Sequence, residues 1–249
     1  MQHPAPTAPS TRSAPRCPNA CRTAGAAGLL LLAAIASTIG PGGCNLAAPA
    51  SYALFGPGKI DAEHNLAQSR TVVFVDDRQN VLPRTALRAL IGEKVSEDLM
   101  SQELIPSAVR PVDAIAATRQ HEEGGKPLSI AAIGRELECQ QVVYVQVTGF
   151  SLTGDGREQT GAGATPTAKA SVKVIDVVNN ARTYPLGDTK AGRDIVAKLR
   201  EVDLDEIRTV AKRRAVEDRL AMELGLTIGQ LFYEHERIEL GKNLGPRGQ

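Results

Sequence analysis

IAAIGRELECQQVVYVQVT, residues 130–148, carries a helical and a strand pattern back to back. Ser129 precedes the stretch and can cap a helix in which Ile130, Ile133 and Leu137 recur at three- and four-residue spacing. From Gln141 to Val147 the chain turns apolar and rich in β-branched residues, the composition of a buried strand. A helix that hands the chain straight to such a strand is a unit of an α/β fold. Toward the amino terminus, Thr71-Val72-Val73-Phe74-Val75 forms a second continuous run that ends in Asp76-Asp77, and such a run belongs in a sheet covered on both faces.

Between these two strands, Thr85 can cap a helix with Leu87, Leu90, Ile91, Val95 and Leu99 on one side. Arg88, Glu93, Lys94, Glu97 and Asp98 take the other side. The helix should stop near Pro106 and be followed by a short strand around Ala108 to Val112. A helix capped by Asp113, with Ile115 and Ala116, and a polar loop Gly124-Gly125-Lys126-Pro127 come next. Toward the carboxyl terminus, residues 153–168 are Gly, Thr, Ala and Pro with little else and read as a long hairpin loop. A strand follows over Ala170 to Val178, and Asn179-Asn180 then suits a tight two-residue turn into Arg182-Thr183-Tyr184. Asp203 to about Leu224 makes the longest helix, with Leu204, Ile207, Ala211, Leu220 and Leu224 as its apolar stripe, continuing or re-forming toward Ile228, Leu231 and Phe232. The expected fold is α/β (α+β), a single mixed sheet of three to five strands with packed helices in the order βαβαβββα.

The ends of the chain read differently. Met1 to Thr23 is rich in Pro, Ala, Ser and Thr and carries Arg12, Arg16 and Arg22 with no acidic residue. Ala24 to Ile39 then runs without a charge around Leu29-Leu30-Leu31-Leu32, the basic and apolar regions of a secretory signal. That apolar stretch is short for a permanent span, which needs about 20 residues. Gly42-Gly43-Cys44 matches the small-residue-then-Cys pattern of a bacterial lipobox, although Pro41 stands where an aliphatic residue is usual. Acylation of Cys44 would anchor the chain to a membrane, because several acyl chains together hold stably where one does not. Cleavage after Ala48-Pro49-Ala50 is the rival reading and would release a soluble secreted protein. The expected organisation is a signal peptide at 1–43, a tether at 44–70, an α/β envelope domain at 71–237 and a frayed tail at 238–249.

Composition narrows the partners. The chain of 249 residues has a formal charge of +1, and without its leader it is slightly acidic, so a nucleic-acid partner is not expected. Hydrophobic residues make up 42% and aromatic ones 3%, so the core must be built mainly from Val, Ile, Leu and Ala. Of the four cysteines, Cys17 and Cys21 fall in the leader and, with Cys44 lipidated, Cys139 is left alone as a small core residue.

The order of elements resembles a periplasmic family found in the curli-export lipoprotein, the TolB amino-terminal domain and the activator lipoproteins of penicillin-binding proteins. Leu87 to Leu104, Ile130 to Thr148 and Val172 to Tyr184 carry the likeness, which covers about half the chain. The resemblance implies a lipoprotein domain with no catalytic residues to carry over. The Gly/Thr-rich loop and the lack of a recognisable pore-forming segment depart from the curli exporter and set a transport role aside.

No intact catalytic or phosphate-binding motif occurs. Gly154-Asp155-Gly156 has Gln159 where a dinucleotide fingerprint needs Gly. His3, His64, His121 and His235 are scattered, and neither a metal nor a cofactor is expected. Asp76 and Asp77, at the carboxyl end of a buried strand, are the candidate ligand site, with a turn leading out of the strand as the plainer reading. Lys212-Arg213-Arg214 should be compensated along the helix by Glu217 and Asp218, and Leu231-Phe232-Tyr233 should dock the last helix on the sheet. The leading expectation is a lipid-anchored, non-catalytic accessory or assembly factor that binds envelope proteins. An envelope hydrolase centred on Asp76 and Asp77, and a small-ligand or glycan-binding lipoprotein using the loop 153–168, stand as alternatives.

Overall fold

The computed structural model describes residues 58–123, 128–153, 163–187 and 191–236. The leader, Cys44, Gly154-Asp155-Gly156, the loop at 124–127 and the tail at 238–249 lie outside the described residues. In chain order the elements are β1 (Lys59–Ile60), β2 (Thr71–Asp76), α1 (Ala86–Ser101), β3 (Ala108–Val109), α2 (Pro111–Glu123), α3 (Ile130–Glu136), β4 (Gln141–Ser151), β5 (Gly163–Ala164), β6 (Thr167–Asp176), β7 (Ala181–Tyr184), β8 (Arg193–Lys198), β9 (Val202–Asp203), α4 (Val210–Gly229) and β10 (His235–Glu236).

All six residues of β2 are buried, because helices cover both of its faces, as its unbroken apolar run required. It pairs in parallel with β3 on one side and β4 on the other, Phe74 opposite Tyr144. β4 then runs antiparallel to β6, with a register shift between Val147 and Gly149. β7 and β8 both pair antiparallel with β6, β7 along its second half and β8 along its first. The mixed sheet therefore has six strands in the path β3-β2-β4-β6-β7, with β8 beside β6. This corrects the expected count of three to five, although the sheet is five positions wide because β7 and β8 share one edge.

Alternation along the strands sorts side chains into two cores. Val73, Val75, Val143, Val145, Ala170, Val172 and Val174 face α1 and α4. Val72, Phe74, Val142 and Tyr144 face α2 and α3 through Ala114 and Ile133. Leu87, Ile91, Val95 and Leu99 of α1 are all at 0% exposure, and each stabilises the fold by about 1.5–3 kcal/mol. Two glycines let the helices close in. A Cβ on Gly225 of α4 would stand 2.8 Å from Lys94 Cβ and 3.1 Å from the Ile91 carbonyl, and one on Gly92 would meet Pro111 Cβ at 2.8 Å.

Several element ends differ from expectation. Thr85 does precede α1, but it has helical dihedrals and its side chain makes no capping bond. α2 starts at Pro111, whose missing N–H suits the first helical position, so Asp113 lies inside the first turn instead of capping it. Ser129 caps α3 as expected, accepting from the Ala132 N–H at 3.2 Å. The Asn179-Asn180 turn has four residues between the paired Asp176 and Ala181, with Asn180 at φ 47° and the Asp176 carboxylate accepting the Asn179 N–H. The last helix begins at Val210, capped by Thr209, because Leu204–Glu206 forms a separate 3₁₀ turn capped by Asp203. Leu204 and Ala211 are accordingly exposed, and Val216 and Ala221 hold the inward positions.

Residues 59–70, expected to be tether, are held against the sheet. β1 pairs with β10, the Glu63 N–H donates to the Leu231 carbonyl at 2.8 Å, and Leu66 packs on the core. Glu63 anchors this segment to the edge strands: Arg193 donates through Nε (2.8 Å) and Nη2 (2.7 Å) to its two oxygens, and the Tyr184 hydroxyl donates at 2.6 Å. The Arg193 hydrogen bonds hold the Glu63 carboxyl below its ordinary pKa of 4.5, against the opposing effect of burial. A folded-state pKa below the unfolded one stabilises the fold above the carboxylate range, and the contribution is lost as pH falls through the folded value. Glu63→Gln is therefore expected to flatten the acid limb of the stability–pH curve below about pH 5. At pH 7 the loss should be no more than about 1 kcal/mol, since the two side chains are 36% and 49% exposed. Urea unfolding of both proteins from pH 3 to 7 measures the difference, and parallel curves would refute the assignment.

Candidate functional site

β2 ends with Asp76, and the chain leaves the sheet through Asp77 into a turn over a cleft of about 410 Å³ between this loop, α2 and α3. Phe74, Ile115, Ile130 and Ile133 form its apolar wall. Asp76, Asp77, Arg78, Arg88 and Arg119 supply the polar rim. That volume is within the range of small-molecule sites, about 300–1,000 Å³.

Both aspartates are already engaged. Asp77 accepts the Val81 N–H at 2.8 Å on one oxygen and the Leu82 N–H at 3.1 Å on the other, which closes the turn out of the strand. Asp76, 8% exposed, accepts from the Tyr144 hydroxyl at 2.7 Å and from Arg78 Nε at 2.7 Å on the same oxygen. Burial, reinforced by the Asp76 carboxylate, pushes the Tyr144 phenol well above its ordinary value of 10.0, so Tyr144 is a neutral donor throughout the physiological range. The carboxylates hold the loop and the strand end in place; the groups with donors to spare are arginines. Arg88, on the first turn of α1, donates Nε to the Val75 carbonyl at 3.0 Å and lies 6.0 Å over the Phe74 ring. Arg88, Arg119 and Tyr144 were missed at the sequence level. The first fell on the side of α1 opposite its apolar stripe and the last read as one more core residue of β4.

The other sequence candidates are dispersed. His64 stacks on Tyr184 at 5.2 Å, His121 meets Glu136 at 2.9 Å, and His235 contacts the Tyr233 carbonyl. Cys139 is 4% exposed, its thiol donates to the Leu137 carbonyl, and burial pushes its pKa up. Leu231 and Phe232 dock into the α1/α4 core, while Tyr233 donates to Asp98 at 3.0 Å. Asp98, on the charged side of α1, is thus buried and bonded. The expected compensation of Arg213 and Arg214 does not form: Glu217 and Asp218 pair with Arg84, at 2.7 and 2.6 Å. Glu217 is 4% exposed and turns inward, away from the exposed Lys212, Arg213 and Arg214.

Fold and site together define an α/β domain with a mixed sheet and a polar-rimmed cleft at one strand end. No family model matches the chain, and no curated protein does. Among solved structures it is similar to the PelC dodecamer from Paraburkholderia phytofirmans, at 13% identity over 71% of this chain and 96% of that one, with a TM-score of 0.35. Lipoprotein GNA1162 from Neisseria meningitidis is similar at 10% identity over 59% and 90%, TM-score 0.33. The LpoB C-terminal domain from Escherichia coli follows at 15% identity over 61% and 93%, TM-score 0.29. Likenesses this distant assign no function. None of the described helices is long and apolar enough to cross a membrane.

Proposed function

We propose that the chain is a lipid-anchored cell-envelope protein whose domain binds another envelope protein as a non-catalytic accessory or assembly factor. Residues 1–43 serve as the leader, Cys44 carries the lipid, and the tether ends where β1 begins at Lys59. The observation that carries the binding role is β8. It occupies a sheet edge, and its burial alternates so that Ile195 and Ala197 face the core while Asp194, Val196 and Lys198 are exposed on the opposite side. An edge strand that offers backbone groups together with an alternating apolar and charged face suits addition of a partner strand. The engagement of Asp76 and Asp77 by backbone amides, Tyr144 and Arg78 favours this reading over a hydrolase centred on them.

Two measurements test the proposal. In the producing cell, Cys44→Ala is expected to abolish labelling by a fatty-acid analogue and to shift the protein from the membrane to the soluble fraction. Undiminished labelling removes the anchor, and a mature terminus at Ser51 would make the protein a secreted one. A photo-crosslinking residue at Val196 in the intact chain should trap one defined envelope protein. Adding Asp194→Lys should abolish that product and leave the Tm unchanged, whereas the same product with and without the charge change would exclude β8 as the contact.

A further inference from the structure

We propose that the cleft at the end of β2 binds a small anionic ligand, an oxyanion carried on an apolar body, with Arg88 and Arg119 as its receptors. Three guanidinium groups and two carboxylates line the rim, but the carboxylates do not offset the arginines equally. Both Asp77 oxygens accept backbone amides, and one Asp76 oxygen accepts two donors. Arg88 is fixed by its bond to the Val75 carbonyl and by the Phe74 ring beneath it. Only its Nε is used, so the two terminal nitrogens have no acceptor among the described residues. A guanidinium held in one orientation with four spare N–H donors is prepared for a bidentate acceptor, and little side-chain freedom remains to be lost on binding. Arg119, exposed on α2 across the cleft, has no hydrogen-bond or ionic partner among the described residues and can close on the same anion. Half-buried Ile115 and Ile130, with Phe74 and Ile133 buried behind them, face the remainder of the ligand, which suits an apolar body small enough for about 410 Å³. A bare inorganic ion would leave that wall unused.

Phenyl phosphate and benzoate serve as probes, one for each source of the oxyanion, with benzyl alcohol as the uncharged analogue. Saturation-transfer NMR on the intact chain in detergent should detect at least one of the two anions and should show benzyl alcohol bound at least ~10-fold more weakly. Preference for one anion names the headgroup, phosphate or carboxylate. Arg119→Gln should weaken the bound anion ~10-fold, and because this residue is exposed on α2 the substitution leaves the fold intact. Arg88→Lys, which keeps the charge and loses the fork, should weaken it further. Binding of neither anion, equal binding of benzyl alcohol, or unchanged affinity in Arg119→Gln would each overturn the assignment. None of these results bears on β8 or Cys44.

Discussion

Phe232→Ala should lower the unfolding free energy by about 3–5 kcal/mol, among the largest losses a single truncation can cause in this domain. Phe232 is 1% exposed and sits in the 3₁₀ turn just beyond α4. Its ring meets Tyr184 of β7 at 6.2 Å and His64 of the amino-terminal segment at 6.4 Å, both edge-on, while His64 and Tyr184 stack on each other. Three stretches far apart in sequence thus converge on one side chain. Removing it costs the transfer free energy of a phenyl group and leaves a cavity that rigid strands on one side and α1 on the other cannot fill. Loss of the edge-to-face contacts adds about 0.5–1.5 kcal/mol for each pair. Because His64 lies next to Glu63, the ion pair with Arg193 should loosen as well, and the amino-terminal segment should exchange its amides faster than the rest of the sheet. Phe232→Leu, which keeps most of the volume, should lose less than half as much. Equilibrium denaturation gives both values, and a loss below about 1 kcal/mol for the Ala variant would mean that this aromatic junction is not part of the cooperative core.

The parts of the fold legible in the sequence are those whose burial is complete or strictly periodic. β2 and the first half of β4 are buried on both faces, and α1 shows its inward stripe without interruption, so each declares itself over a window of a few residues. β8 does not. Of Arg193 to Lys198 only Ile195 and Ala197 face the core, and Val196 points the other way, so the alternation is masked by an apolar residue on the exposed side. The start of α4 was hidden for a different reason: Leu204 and Ile207 continue a helical spacing by chance across the 3₁₀ turn, which Asp203 caps, while Thr209 caps the helix proper, and neither is set by hydrophobic period. The candidate site was legible in place but not in chemistry. The carboxyl end of β2 does open on a cleft, as strand ends of α/β sheets tend to. The roles of Asp76 and Asp77 depend on Tyr144, 68 residues away in sequence from Asp76, and on amides in a turn whose path cannot be read from composition.

The same limit explains the charges of α4, and there it leads to an effect of comparable size. Helical spacing pointed to Arg213 and Arg214 as partners of Glu217 and Asp218, each pair four residues apart. An exposed pair at that spacing is worth only about 0.3–0.5 kcal/mol. Arg84, 133 residues from Glu217, competes from the loop before α1 and wins, because Glu217 points into the domain where Arg213 cannot follow. With a side chain 6% exposed, the Glu217 carboxylate has lost most of its hydration and depends on the Arg84 Nε–H at 2.7 Å to offset that loss. Arg84→Ala should therefore cost about 2–4 kcal/mol at pH 7, much more than a surface ion pair, because it leaves a carboxylate buried without a cation. Asp218, 43% exposed, rehydrates and adds little to that figure. The pair also bridges the start of α1 to the middle of α4, so its loss should speed opening of the helical layer over β6 and β8. Arg84→Met combined with Glu217→Leu removes both charges and keeps apolar volume at the site, and it should recover most of the loss. Chemical denaturation of the unaltered chain, Arg84→Ala, Arg84→Met and the double variant separates the two explanations. If Arg84→Met alone, which keeps the stem and leaves the Glu217 carboxylate without a cation, is as stable as the double variant, the stabilising element is the packing of the Arg84 stem and not the pairing of its charge.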